Sequence, residues 1–183
     1  FQWNRIWSIE DAEELMHDRV AAMVVEPIQG EGGDNHFVPE LFPLMRKWAD
    51  DNDVILIFDE VQTGVGLTGK MWCYEHFGIV PDMMCFGKKT QVCGFCSTDR
   101  IDEVEHNVFN DSGRINSTWG GNIVDMVRFS HIMDAIEEEK LVDNAHDVGS
   151  HLENALNNLD TISNVRGMGL MIAFDLDTPD LRD

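Results

Sequence analysis

The feature that most restricts the fold is a series of short apolar runs, each followed closely by a polar residue. Ala21–Val25, Val54–Phe58 and Met83–Phe86 are four or five residues long. That is the length of a buried strand rather than of a helix. Between the first two, Pro39 opens a stretch to about Ala49 that puts Leu41, Leu44, Met45 and Trp48 on one helical face. Strand, helix, strand at this spacing predicts βαβ units and a mostly parallel sheet, an α/β fold. Ligands of such sheets sit at the carboxyl ends of the strands. Glu26, Asp59 and Lys88 each lie just after or at the end of one of these runs, which predicts a shared site.

The rest of the chain is read the same way. Glu10–Val20 has the pattern of an acidic amphipathic helix, and Gln29–Gly33 is a glycine-rich loop. A further strand is predicted over Val92–Ser97, and helices over Ile123–Glu138 and about Asn144–Leu159. Strand character returns over Val165–Phe174, with Gly167 and Gly169 at a tight turn. The shift in character near Lys140 is the candidate boundary between residues 1–140, part of a large α/β domain, and residues 141–183, the start of a C-terminal α+β domain.

Composition removes several classes of function. With 34 acidic against 13 basic residues the net charge is −21, so no basic stripe exists to neutralise phosphates and nucleic acid is not an expected partner. The acids are spread along the chain; an ordinary solvated surface and a surface tuned to high salt both fit. No apolar run approaches the roughly 18 residues of a membrane span. The chain opens without Met or a leader-like stretch and stops in polar sequence, so it is expected to be a fragment of a longer cytoplasmic protein. Its four cysteines do not form a secreted framework. The seven histidines show no metal-ligand spacing, and no metal is expected.

Three local patterns compete for attention. Gly64–Gly69 matches G-x-G-x-x-G, but Asp59–Thr63 separates it from the preceding strand. A dinucleotide loop needs its first glycine at the strand end, and the Asp59-Glu60 pair would repel pyrophosphate. Gly69-Lys70-Met71 misses the Ser or Thr that a P-loop uses to hold magnesium. Cys93-Gly94-Phe95-Cys96 is a CxxC without a helix N-terminus or a second ligand pair, so buried or incidental thiols are the expectation.

Asp59 and Lys88 suit one chemistry well. A lysine at one strand end can form a Schiff base with pyridoxal 5'-phosphate (PLP), and a carboxylate at a neighbouring strand end can keep the pyridine nitrogen protonated. A carboxylate closing so apolar a strand costs desolvation unless something pairs with it. Lys89 is an alternative Schiff-base residue on chemistry alone.

Four segments in order carry a family resemblance: Glu26–Gly33; Ile57–Gly64; Pro81-Asp82 with Phe86–Lys89; and Asn116–Asn122. Together they resemble the class III PLP-dependent aminotransferases, and span most of the chain. The wording Gly87–Gly94 with Asn116–Asn122 is most similar to the L-lysine 6-aminotransferase branch, with the 4-aminobutyrate branch next.

The resemblance implies a fold-type I PLP enzyme acting as a homodimer with a shared active site. It implies transfer of the terminal amino group of L-lysine to 2-oxoglutarate, giving glutamate and 2-aminoadipate 6-semialdehyde. 4-Aminobutyrate or ornithine is the alternative donor, and a non-catalytic aminotransferase-like scaffold a further alternative. By resemblance Lys88 holds the cofactor and shuttles a proton, because the family places a small residue before that lysine and Gly87 fits. Asp59 would pair with the ring nitrogen, Gln62 with the ring hydroxyl, and Thr118 with the cofactor phosphate across the dimer. Glu31 would lie near the substrate and Glu26 would support the same wall. Glu31 as an ordinary loop residue, and Thr118 as a helix cap, remain open. The family's phosphate cradle and substrate-binding arginines fall outside this chain, so residues 1–183 alone are expected to be inactive.

Overall fold

A computed structural model of the chain describes residue 10, residues 20–115 and residues 117–177. The interior of the helix expected over Glu10–Val20 lies outside the described residues, as does Asn116. In chain order the elements are β1 (Ala22–Val25), β2 (Ile28–Gln29), β3 (Asn35–His36), α1 (Leu41–Asp51), β4 (Ile55–Asp59), β5 (Met83–Phe86), β6 (Gly94–Ser97), α2 (Ile123–Glu138), α3 (Leu141–Leu156), β7 (Ser163–Met168) and β8 (Met171–Asp175). The main sheet has the order β1-β4-β5-β6. Its first three strands are parallel, and β6 runs antiparallel to β5. That reversal follows from a short 3-10 turn over Lys88–Thr90 and a left-handed Gln91, which send the chain straight back beside β5.

Burial alternates along β4. Leu56 and Phe58 are fully buried, whereas Ile55, Ile57 and Asp59 point to the other, half-covered face. Helix α1 covers the buried face with Leu41, Phe42, Met45 and Ala49. Phe42 stacks on Phe77 at 3.8 Å and meets Phe58 edge-on at 5.7 Å. Each such ring contributes about 2–3 kcal/mol by leaving water.

Asp82, part of the family resemblance, lies at the end of the sheet away from Lys88. It is buried, accepts a hydrogen bond from the Leu56 amide at 2.7 Å, and pairs with Arg46 at 3.0 Å and Arg100 at 3.3 Å. Its place is structural: it ties α1 and the segment after β6 to the start of β4.

The C-terminal part departs from the sequence reading in two ways. Helix α3 starts at Leu141 rather than near Asn144, because Lys140 turns the chain sharply at φ 52°. The tight turn falls at Gly169-Leu170, while Gly167 lies inside β7 opposite Ile172. The turn is fixed by a tertiary contact: the Leu170 amide donates to the Leu67 carbonyl at 2.9 Å.

Gly149 of α3 lies against this turn, and a Cβ there would come within 1.9 Å of the Gly169 carbonyl oxygen. Backbone cannot yield as a flexible side chain can. Gly149→Ala is therefore expected to destabilise the docked hairpin by about 3 kcal/mol or more, read as a fall in the urea midpoint. An unchanged midpoint would mean that α3 and the turn are not packed this closely.

Candidate active site at the carboxyl edge of the parallel strands

Parallel pairing brings the ends of β1, β4 and β5 to one edge. Val25 pairs with Phe58, and Asp59 with Cys85. Glu26 thus follows β1 directly, Asp59 is the last residue of β4, and Lys88 lies two residues past β5. Phe86, which leads into the Gly87-Lys88 step, is held between Trp72 at 6.1 Å and Phe129 of α2 at 5.8 Å.

Lys88 adopts φ 53°, a region that residues with a Cβ seldom occupy. Such strain persists where the surroundings over-determine it, and it gathers at functional sites. The Lys88 amine is exposed and donates to the side-chain oxygen of Gln62. The Lys89 amine is half-buried and donates instead to the Gln62 main-chain carbonyl at 2.7 Å. Burial, and then the Lys88 charge, lower the Lys89 pKa, with Glu60 opposing. The two lysines are therefore unlike: the Lys88 amine is exposed at the open edge, while the Lys89 amine is half-buried against the Gln62 main chain.

Asp59 is half-buried, and its Oδ1 accepts a hydrogen bond from the Val61 amide at 3.0 Å. That bond meets part of the desolvation cost. Among the described residues no other donor reaches this carboxylate, which leaves it able to take one more.

Glu60, the next residue, is turned the other way and is fully buried. It accepts from the Tyr74 amide at 2.8 Å, the Cys73 amide at 2.9 Å and the Thr63 hydroxyl at 2.9 Å. Burial pushes its carboxyl up, and these three donors pull the other way. It anchors the loop that carries Gln62. Glu60→Ala would leave two amides without partners, a loss of about 3–5 kcal/mol in urea unfolding, and Glu60→Gln should cost less. Equal losses for both variants would mean that packing, not hydrogen bonding, sets the role of Glu60.

The glycine-rich segment forms a small hairpin of β2 and β3, in which Ile28 pairs with His36 and Gln29 with Asn35. Glu31 is exposed at its tip, and Glu26 is exposed at its base. The tip leans on the site: a Cβ on Gly30 would lie 3.0 Å from the Gln62 side chain.

Among the described residues, Thr118 makes no hydrogen bond to this edge. It sits in an exposed turn closed by the Gly120 amide donating to the Ser117 carbonyl at 3.1 Å. Nor does it cap α2, since Asn122 fills that role by accepting from the Val124 amide at 3.0 Å. Of the thiols, Cys73 is buried and Cys85 half-covered, whereas Cys93 and Cys96 are exposed rather than buried. Arg166 went unnoticed in the sequence. Its partners Gly33 and Asp34 lie more than 130 residues away, and no local pattern announces such a contact.

A primary amine, a carboxylate with spare accepting capacity and a side-chain amide share one open edge. These are the groups that the aldehyde, the ring nitrogen and the ring hydroxyl of PLP require, so the residues fit that cofactor.

Comparison with known proteins agrees with this. The family model "Aminotransferase class-III" matches residues 4–182. The L-lysine-epsilon aminotransferase of Mycobacterium tuberculosis is 51% identical over 172 residues, covering 91% of this chain and 38% of the relative. The 4-aminobutyrate aminotransferase of Dictyostelium discoideum is 36% identical over 188 residues, covering 96% of this chain and 36% of that relative. A solved lysine aminotransferase from M. tuberculosis, in its internal aldimine form, superimposes with a TM-score of 0.86 at 48% identity, covering 93% of this chain and 41% of that one. The chain thus spans roughly two-fifths of the length of these relatives. By this match, and by the mostly parallel sheet that carries the site, the chain belongs to the class III aminotransferases, PLP-dependent enzymes of fold-type I.

Proposed function

We propose that the chain carries the catalytic lysine and ring-binding residues of a transaminase that moves the terminal amino group of L-lysine to 2-oxoglutarate. The observation that carries this reading is the gathering of Asp59, Gln62 and Lys88 at one sheet edge, in a chain more similar to lysine-epsilon than to 4-aminobutyrate aminotransferases. Glutamate and 2-aminoadipate 6-semialdehyde would be the products. Bound PLP supplies an aldehyde that takes up the amine and a protonated ring that spreads the charge left when a C–H proton departs.

The chain's own groups do the rest. Lys88 Nζ holds the cofactor and later carries the proton taken from the substrate carbon. Asp59 keeps the ring nitrogen protonated through its free accepting capacity. Gln62 donates from its side-chain Nε2 to the ring hydroxyl; its Oε1 is the atom that accepts from Lys88. Glu31, at the hairpin tip, meets the substrate, and Glu26 backs the same wall. Thr118, exposed in its turn, reaches the cofactor phosphate of a second copy. A homodimer is further supported by exposed apolar side chains around the start of α2: Trp119, Ile123, Val124, Met126 and Val127, each more than half accessible. Residues 141–183 are the start of a second, C-terminal domain.

The test is glutamate formation by the full-length parent protein with 2-oxoglutarate and lysine, ornithine or 4-aminobutyrate in turn. The reading expects lysine to be preferred. Preference for another donor would overturn the lysine assignment and leave the roles of Lys88 and Asp59 standing.

A further inference from the structure

The tip of the β2–β3 hairpin, Gly30–Asp34, is exposed, rich in glycine and left-handed at two positions, Gly33 (φ 113°) and Asp34 (φ 48°). Its internal bonds are few. The Gly33 and Asp34 amides both donate to the Gly30 carbonyl at 3.1 Å, and the Asn35 side chain reaches the Gly32 carbonyl at 2.9 Å. A segment so composed keeps one position only when something outside holds it.

Arg166 of β7 is that holder. Its Nε donates to the Asp34 carbonyl at 2.8 Å and its Nη2 to the Gly33 carbonyl at 3.1 Å. One edge of the guanidinium thus grips two successive carbonyls, a task for a planar fork rather than for the point charge of a lysine. The third nitrogen, Nη1, is fixed to Asp175 of β8 at 3.0 Å and to the Asn164 carbonyl at 2.9 Å. At the start of the tip, a Cβ on Gly30 would lie 3.0 Å from the Gln62 side chain and 3.7 Å from Met171 of β8. The tip that presents Glu31 is therefore tied to the C-terminal hairpin by Arg166 and packs beside Gln62.

We propose that Arg166 is a positioning residue, which fixes the Gly30–Asp34 tip over Gln62 and, through Glu31, sets how the site divides its efficiency between amino donor and keto-acid acceptor. This rests on the proposed substrate role of Glu31. Arg166 touches neither reacting group. It acts by holding main-chain carbonyls, so its loss misplaces Glu31 without removing it.

The experiment uses the full-length protein with Arg166→Ala, Arg166→Lys, Glu31→Ala and the Arg166→Ala/Glu31→Ala double variant. Amide exchange is followed over residues 29–35 and over β4, and kcat/KM is measured separately for lysine and for 2-oxoglutarate. In Arg166→Ala, exchange at the tip should rise about tenfold while β4 stays protected. The ratio of the two kcat/KM values should shift about tenfold. Arg166→Lys should restore part of both, and in the Glu31→Ala background the shift should vanish. Unchanged tip exchange overturns the clamp. A loosened tip with no shift in ratio, while Glu31→Ala alone does shift it, overturns the proposal and leaves the reading of Glu31 intact. If Glu31→Ala alone leaves the ratio unchanged, the reading of Glu31 falls and the proposal with it.

Discussion

Replacing Lys88 with alanine in the full-length protein is expected to lower transamination by at least about 10⁴-fold. On the proposed roles two functions are lost together: the amine that holds the cofactor and the base that moves the proton. Such paired losses are not additive, because without the first the second has nothing to act on. Lys89 stands next in the chain and cannot take over. Its amine is tied to the Gln62 carbonyl at 2.7 Å, beneath the edge that Lys88 faces. Burial lowers its pKa and so favours the neutral amine, which makes Lys89→Ala the informative control. That variant should keep activity within about tenfold, with steady-state kinetics as the readout. If Lys89→Ala were the inactive one, the assignment of the two lysines would be reversed.

Asp59→Ala is expected to lower kcat by about 10³-fold, and Asp59→Asn by nearly as much. The side chain is half-buried, and its one hydrogen bond, from the Val61 amide, leaves a charged oxygen available. Both variants remove the negative charge proposed to keep a ring nitrogen protonated, whereas asparagine retains the Oδ1 contact with Val61. A stability difference between the two, with equal loss of kcat, would separate the turn-closing role from the catalytic one. Full activity in Asp59→Asn would contradict the assigned role.

Much of this arrangement was legible because it is local. The run Val54–Phe58 is apolar on both faces, so it could only be a core strand, and parallel neighbours must end at the same edge. Asp59 proved to be the last paired residue of β4 rather than the first beyond it. Gln62, three residues on, lies beside Lys88. Helix α2 matched its expected bounds because Asn122 supplies a cap just before the apolar spacing begins.

What escaped notice depends on contacts distant in sequence. Of the two glycines expected at the turn, Gly169 makes it and Gly167 lies inside β7, because the Leu67 carbonyl receives the Leu170 amide. The start of α3 was missed because a lysine, with no glycine or proline to announce it, adopts the left-handed turn. Arg166 is an ordinary strand residue until the hairpin is folded against the Gly30–Asp34 tip. Thr118 cannot be joined to the edge by this chain alone, since its proposed role needs a second copy.

The central claim is that Lys88 carries PLP, and it is tested most directly by borohydride reduction of the full-length protein with PLP, followed by peptide mapping. The account predicts a single pyridoxyl group on Lys88 and none on Lys89. Label on Lys89, or on neither, would contradict it.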